Sequence, residues 1–239
     1  MIIAGVDEAG RGALAGPVVA GAVIISPPFS KGDSRGIFSE FNDSKQLSEK
    51  KREELFQFIV EHLDYGVGIV SAAEIDDIGI KKATEKAMNL AVQSLSVVPD
   101  QLLVDGRDGF KFYREIGEIR NKREEIRVKD STFIPAEAGI HKDIDSCFHR
   151  NEELIIPSTD IIKGDEKEPC IAAASIIAKV TRDRLMVEYD AQFSGFGFAG
   201  HKGYGAKAHY DLLEQGTYCE IHRRTYDPLR TFLCQGKLF

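Results

Sequence analysis

Three short stretches of this chain each run into a carboxylate: the apolar residues 2–6 into Asp7-Glu8, residues 101–104 into Asp105, and residues 160–164, with Ile161 and Ile162, into Asp165. Each is too short for an ordinary helix, and each is predicted to be a strand ending in acid. Helical patterns lie between them. Ser48 precedes Lys51 by three residues and is followed by Leu55, Phe56, Ile59 and Val60, which predicts an N-cap and an apolar stripe on a helix ending near His62. Residues 80–95 carry Ala83, Ala87, Leu90, Ala91 and Leu95 on one side, and residues 169–192 form a long helix opened by proline. Further strands over 17–25 and 65–71, a helix over 206–215, a Gly- and aromatic-rich loop over 195–205 and an irregular tail complete the pattern. Strands alternating with helices predict an α/β fold, a mixed central sheet flanked by helices, in which ligands gather beyond the strand ends. The acids are expected to converge there.

Clustered carboxylates repel and raise one another's pKa, so such a cluster is tolerable where cations fill it. Hard oxygen ligands select Mg²⁺ or Mn²⁺, and a pair of such ions suits phosphodiester hydrolysis. The net charge of −7 excludes a protein that grips nucleic acid by bulk positive charge, so any such site must be local. Isolated acids at strand ends also occur as ordinary loop residues. Neighbours on a regular strand face opposite sides, so Asp7 and Glu8 can serve one site only if the chain bends between them or one uses its carbonyl. Gly10 and Gly12 supply flexibility for a bend, and Arg11 between them has the reach for a phosphate.

Taken together, these segments resemble ribonuclease HII, the prokaryotic type 2 ribonuclease H. The matching residues are Val6-Asp7-Glu8-Ala9-Gly10-Arg11-Gly12, Asn42-Asp43-Ser44-Lys45-Gln46-Leu47-Ser48, Leu103-Val104-Asp105-Gly106, Lys163-Gly164-Asp165, residues 172–183, and His201-Lys202-Gly203-Tyr204-Gly205, all in family order. The resemblance implies an RNase H-like fold and cleavage of RNA in RNA–DNA hybrid duplexes and at single ribonucleotides in duplex DNA. The cut is expected 5′ to the ribonucleotide, by two-metal-ion catalysis with Mn²⁺ or Mg²⁺, leaving 3′-hydroxyl and 5′-phosphate ends. It implies that Asp7, Glu8, Asp105 and Asp165 are the catalytic metal ligands. Gly10, Arg11 and Gly12 then recognise the ribose 2′-hydroxyl, the group that separates RNA from DNA, and Tyr204 stacks at the RNA–DNA junction. Lys45, Ser175, Lys179 and Arg182 are candidate phosphate contacts, the last three recurring on one helical face. Asp183 is expected to pair with Arg182 or Arg184.

The chain departs from the family over residues 107–157, expected to be a long, mobile surface insertion within a single domain spanning 1–239. His141, Cys147 and His149 within it match no strong zinc pattern. Four cysteines without a C-x-x-C pair are expected to be reduced and mostly buried. The last five residues resemble the Gln-x-x-Leu-Phe peptide that docks on the replication sliding clamp, with Gln235, Leu238 and Phe239 as anchors. With no membrane-length apolar run and no basic leader, a cytoplasmic monomer is expected. Two rival readings stand beside this one. A junction resolvase shares the acids but needs no ribose, and a clamp-tethered hybrid-binding protein binds duplexes without cutting them.

Overall fold

The computed structural model describes residues 1–25, 41, 47–114 and 154–234. Its centre is a five-stranded sheet of β1 (Ile3–Ala9), β2 (Val18–Ile24), β3 (Asp64–Val70), β4 (Gln101–Asp105) and β7 (Ser158–Ile161), in the order β3-β2-β1-β4-β7. β2 runs antiparallel to β1 and β3, whereas β4 is parallel to both β1 and β7. This is the mixed sheet expected from the pattern. The parallel trio aims the C-terminal ends of β1, β4 and β7 at one edge of the molecule.

Helices cover both faces. α1 (Glu49–His62) and α4 (Pro169–Gln192) pack on one side, burying Leu55, Phe56, Ile59, Ile176 and Ile177 with Val23. α2 (Ala72–Ile78) and α3 (Ile80–Gln93) supply the other, where Ile75, Ala87 and Met88 meet Val6, Val18, Leu102 and Val104. The Ser48 hydroxyl caps α1 by accepting the Lys51 amide at 3.3 Å. α4 lies unusually close to the sheet, because Gly5 and Gly21 present no side chain to it. A Cβ on Gly5 would sit 2.2 Å from the Cys170 carbonyl carbon, and one on Gly21 2.4 Å from the Ala174 oxygen. That close approach sets the register of α4 against β1.

Several expectations are corrected. Asp165 is not at a strand end: β7 stops at Ile161, and Asp165 sits in a 3-10 turn, Gly164–Glu166, entered through the left-handed Lys163. Residues 72–78 form a helix capped by Ser71, too short to generate an amphipathic period. The tail is not wholly irregular, since α5 (Lys207–Glu214) is followed by α6 (Leu229–Cys234). The edges of the expected insertion belong to the core. β5 (Phe112–Arg114) and β6 (Leu154–Ile156) pair antiparallel, with Phe112 and Ile156 buried and Asn89 of α3 bonding the backbone of Lys111 and Tyr113. Short apolar alternation suffices for a two-stranded ribbon where a helix is there to receive it. Residues 115–153, with His141, Cys147 and His149, lie outside the described residues, as do Lys45 and the tail residues Gln235, Leu238 and Phe239. Cys170 is buried and Cys219 half-buried, but Cys234 is exposed. Among the described residues no helix is long and apolar enough to cross a membrane.

Candidate active site

The acids meet where β1 and β4 end side by side. Val6 pairs with Val104, so the next residues along, Asp7 and Asp105, lie side by side just past the last β1–β4 pairing. Of the two ways in which Asp7 and Glu8 could serve one site, the bend between them does not occur: both stay in register with β2, opposite Gly21 and Ala20, and the turn comes later, at Gly10 with φ +95°. Asp7 therefore faces α4, where it is hydrogen-bonded to Ser175. Glu8 instead reaches Arg11 at 3.4 Å. Asp105 serves both, because its charge acts on each of them. Its Oδ1 also accepts the Gly164 amide at 2.7 Å, which ties the Asp165 turn to the same edge and leaves Asp165 buried there.

The electrostatics are those of charges crowded out of water. Burial, then the charges of Glu8 and Asp105, push the Asp7 carboxyl well above the usual carboxylate range, against the opposing hydrogen bonds from Ser175 and the Glu8 amide. Burial also raises Glu8; Arg11 opposes the rise, while Asp105 and Asp108 add to it. Among the described residues no three acidic, His or Cys side chains yet enclose a metal-sized space. Each of these acids has a protein donor: the Glu8 amide bonds Asp7 Oδ1 at 2.7 Å, Arg11 bonds Glu8 at 3.4 Å, and the Gly164 amide bonds Asp105 at 2.7 Å.

Beside the acids stands the Gly10–Gly16 loop, and its conformation is set by buried arginines. The Arg223 guanidinium donates to the carbonyls of Gly10 (2.7 Å), Arg11 (2.8 Å) and Gly16 (3.0 Å), and the Tyr226 hydroxyl donates to Arg11 O at 2.9 Å. Burial lowers the pKa of Arg223 to about 10. Because a trans peptide sets its N–H opposite its C=O, carbonyls drawn inward at Gly10 and Arg11 turn the amides of Arg11 and Gly12 outward. Gly10 is obligatory here: a Cβ would lie 2.1 Å from the Arg182 Nε. Gly12 has open space around it, so no contact explains its lack of a side chain.

Arg182 is not the surface phosphate contact suggested by its helical spacing. It is fully buried, and donates to the carbonyls of Pro17 (3.0 Å), Ala15 (3.1 Å) and Lys202 (2.9 Å). It thereby staples the Gly10–Gly16 loop to the one carrying Tyr204, whose ring it faces at 5.0 Å. Burial lowers its pKa. Spacing alone cannot tell an outward cation from one inserted among carbonyls. Asp183 pairs not with an arginine but with Lys179, at 2.7 Å and one helical turn away; Arg184 reaches Glu53 instead. Arg11 is engaged by Asp108 at 2.6 Å as well as by Glu8.

A cleft of about 270 Å³ gathers much of this together, lined by Glu8, Gly10, Arg52, Ser175, Lys179 and Tyr204. The Tyr204 ring is 36% exposed, with the Lys179 ammonium 5.7 Å from its centroid. Of the residues singled out from the sequence, Asp7, Glu8, Asp105, Asp165, Gly10, Arg11, Gly12, Ser175, Lys179 and Tyr204 thus occupy one end of the molecule. Sequence reasoning missed Arg52, Asp108, Arg223 and Tyr226. Arg52 sits four residues after the Ser48 cap, and that position was the available signal; the others lie in segments without periodicity.

The profile of the family described as Ribonuclease HII matches residues 4–132 and 125–228 of the chain. The ribonuclease HII of Maricaulis maris is 44% identical over 231 residues, 97% of this chain and 84% of that protein. Among solved structures, ribonuclease H2 from Pyrococcus horikoshii superposes with a TM-score of 0.68 at 26% identity, covering 99% of each chain. The RNase HII of Archaeoglobus fulgidus, solved in complex with PCNA, gives 0.64 at 25% identity over 95% of this chain and 96% of that one.

Proposed function

The chain belongs to the ribonuclease HII family and is a type 2 ribonuclease H acting on RNA–DNA hybrids, and from that premise we propose that it also cuts duplex DNA at single embedded ribonucleotides. In this reading hydrolysis falls 5′ to the ribonucleotide, leaves 3′-hydroxyl and 5′-phosphate ends, and uses two divalent cations held by Asp7, Glu8, Asp105 and Asp165. The observation that carries it is the adjacency of two unlike features. Buried acids, with Asp7 and Glu8 held above the usual carboxylate range by burial and neighbouring charge, stand next to a loop whose amides at Arg11 and Gly12 are turned outward by Arg223.

The donor chemistry fits Mg²⁺ or Mn²⁺: the cluster offers only carboxylate oxygens, and its mutual repulsion falls when positive charge enters. When bound, such a cation polarises the scissile phosphate and lowers the pKa of water. The remaining work belongs to the chain. Ser175 orients Asp7 through its hydrogen bond, the Gly164 amide orients Asp105, and Arg11 shifts between carboxylate partners and substrate phosphate. The outward amides read the 2′-hydroxyl, a group that both donates and accepts. Tyr204 offers its ring to the base or sugar at the junction, and Lys179 and Arg52 meet the backbone phosphates on the far wall of the cleft. Ser175 is thereby reassigned from phosphate to Asp7. Lys45 and the clamp-binding role of Gln235, Leu238 and Phe239 remain part of the proposal; for the tail, the support is the peptide pattern and the PCNA complex of the A. fulgidus relative.

The test is a DNA duplex carrying one ribonucleotide and a long hybrid, each incubated with Mg²⁺ or Mn²⁺ and with wild type or Asp105→Asn, beside an all-DNA control. A metal-dependent cut 5′ to the ribonucleotide, absent from the variant and the control, is expected. Cutting of the all-DNA control would favour the resolvase reading. Binding without cutting would favour the tethered binding protein.

A further inference from the structure

Behind Tyr204 lies a buried group of three histidines that the chemistry above does not use. His209 and His222 are fully buried and His201 half-buried, packed with Phe196 and Phe198. The His201 and His209 rings stack at 4.5 Å, and His209 Nε2 lies 3.0 Å from His222 Nε2.

The partners of these rings determine where every proton sits. His209 Nδ1 lies 2.9 Å from the Tyr204 carbonyl, which can only accept, so Nδ1 carries the hydrogen and Nε2 of a neutral ring is left as acceptor. His222 must then donate from Nε2. With its hydrogen on Nε2, His222 accepts the Cys219 amide on Nδ1 at 3.0 Å, with the Cys219 Sγ and carbonyl each 3.2 Å from that nitrogen, so it is the Nε2–Nε2 pair that fixes the tautomer. His201 donates from Nε2 to Phe196 O at 2.8 Å and accepts the Gly203 amide on Nδ1 at 3.1 Å. All six ring nitrogens are matched in a single arrangement of neutral tautomers; within it, a proton added to His201 meets the Gly203 amide and one added to His209 meets the His222 Nε2–H, donor against donor in each case. Burial lowers the pKa of both His209 and His222, the latter to about 4, which keeps the arrangement uncharged.

This network holds the backbone on both sides of the junction tyrosine. Gly203 is fixed by His201 and Tyr204 by His209, and the Gly203 carbonyl accepts the amides of Leu14 (2.8 Å) and Ala15 (3.2 Å) from the neighbouring loop. We propose that His201, His209 and His222 form a neutral histidine relay that positions Tyr204 for the RNA–DNA junction, with His209 as the positioning residue in direct contact. The inference rests on the substrate reading given above for Tyr204.

Two measurements test it. Imidazole ¹⁵N shifts of the wild type at neutral pH report the tautomers without any substrate: the Nδ1–H form is expected for His209 and the Nε2–H form for His201 and His222. Any other assignment overturns the relay whether or not the protein cuts ribonucleotides. Cleavage of the single-ribonucleotide duplex by wild type, His209→Leu, His209→Asn, Tyr204→Ala and the double variants then reads the coupling. His209→Leu and Tyr204→Ala are each expected to lower kcat/KM by roughly tenfold to a hundredfold, the scale of one base–aromatic stack. The double variant His209→Leu/Tyr204→Ala should be no worse than the weaker single one. His209→Asn, whose amide stands near the Nδ1 position, should retain several times the activity of His209→Leu. A mere packing role predicts the reverse order, because leucine fills the apolar space better. Additive losses, or Leu outperforming Asn, would refute the proposal. If His209→Leu does not fold, His209→Asn against His209→Asn/Tyr204→Ala decides the coupling by the same criterion.

Discussion

The two halves of the cleft are built on opposite electrostatic plans. At the acid end, Asp7, Glu8 and Asp105 share a partly buried space in which the charges of Glu8 and Asp105 disfavour the ionisation of Asp7, and that of Asp105 the ionisation of Glu8. At the loop end, every inward carbonyl from Gly10, Arg11, Ala15, Gly16 and Pro17 meets a buried guanidinium from Arg182 or Arg223. One end is left frustrated, and at the other each of these carbonyls has its donor. Frustrated charge is what a cation relieves, whereas recognition of a single hydroxyl needs amides that cannot move. The contrast teaches that this fold keeps adaptable electrostatics and rigid geometry apart, joined through the short span from Glu8 to Gly10 and the Arg11–Glu8 ion pair.

The sharpest way to break the contrast is to remove charge at the acid end. Asp7→Asn is expected to lower cleavage of a ribonucleotide-containing duplex by about a thousandfold or more, the loss of several kcal/mol of transition-state stabilisation, read as single-turnover rates. Next comes the loop end, where Arg223→Met conserves volume but removes three hydrogen bonds to the loop carbonyls. A cost of about 3 kcal/mol or more in urea unfolding is expected, with weaker discrimination between ribose and deoxyribose among the molecules that stay folded. A variant that discriminates as wild type does would show that the loop needs no arginine to hold its shape.

Acidification separates the two ends by sign. His222 titrates near 6.5 when unfolded but at about 4 in the fold. Between those values the unfolded chain binds the proton and the native one does not. Its contribution is therefore complete above about pH 6.5 and falls by roughly 3 kcal/mol as pH drops toward 4. Asp7 works oppositely, because its raised pKa lets the native state take up a proton before the unfolded chain does. Denaturant melts across this window should show a steeper acid loss in Asp7→Asn than in wild type. The smallest effect belongs to the cleft wall: Arg52→Ala should raise KM a fewfold and reduce the salt dependence of duplex binding by about 0.9 in log–log slope, one phosphate contact's worth.

The sheet, the caps and the acid positions could be read from the sequence because they follow from local patterns: apolar runs ending in acid, Ser48 before a stripe, proline opening α4. Asp7 and Asp105 needed only the strand order to become neighbours. What could not be read depends on contacts between distant segments. Arg182 has the spacing of a surface cation and is instead buried among carbonyls 165 and 167 residues away in sequence. Arg223 lies 213 residues from Gly10, in a stretch with no period, and nothing local marks it as the brace of the recognition loop. Asp165 was displaced from its expected strand end because a left-handed Lys163 turns the chain before it arrives. The ribbon of β5 and β6 was hidden by its brevity, with three residues in each strand.

The claim that the acid end is held under repulsion for a cation is tested most directly by thermal melts of wild type and Asp7→Asn at mildly alkaline pH, with and without Mn²⁺. Asparagine keeps the hydrogen bonds to Ser175 and the Glu8 amide while removing the charge. The variant should therefore melt higher than wild type without metal, and Mn²⁺ should raise the wild type by several degrees and the variant far less. A variant that melts lower than wild type without metal, or gains as much from Mn²⁺, would contradict the account.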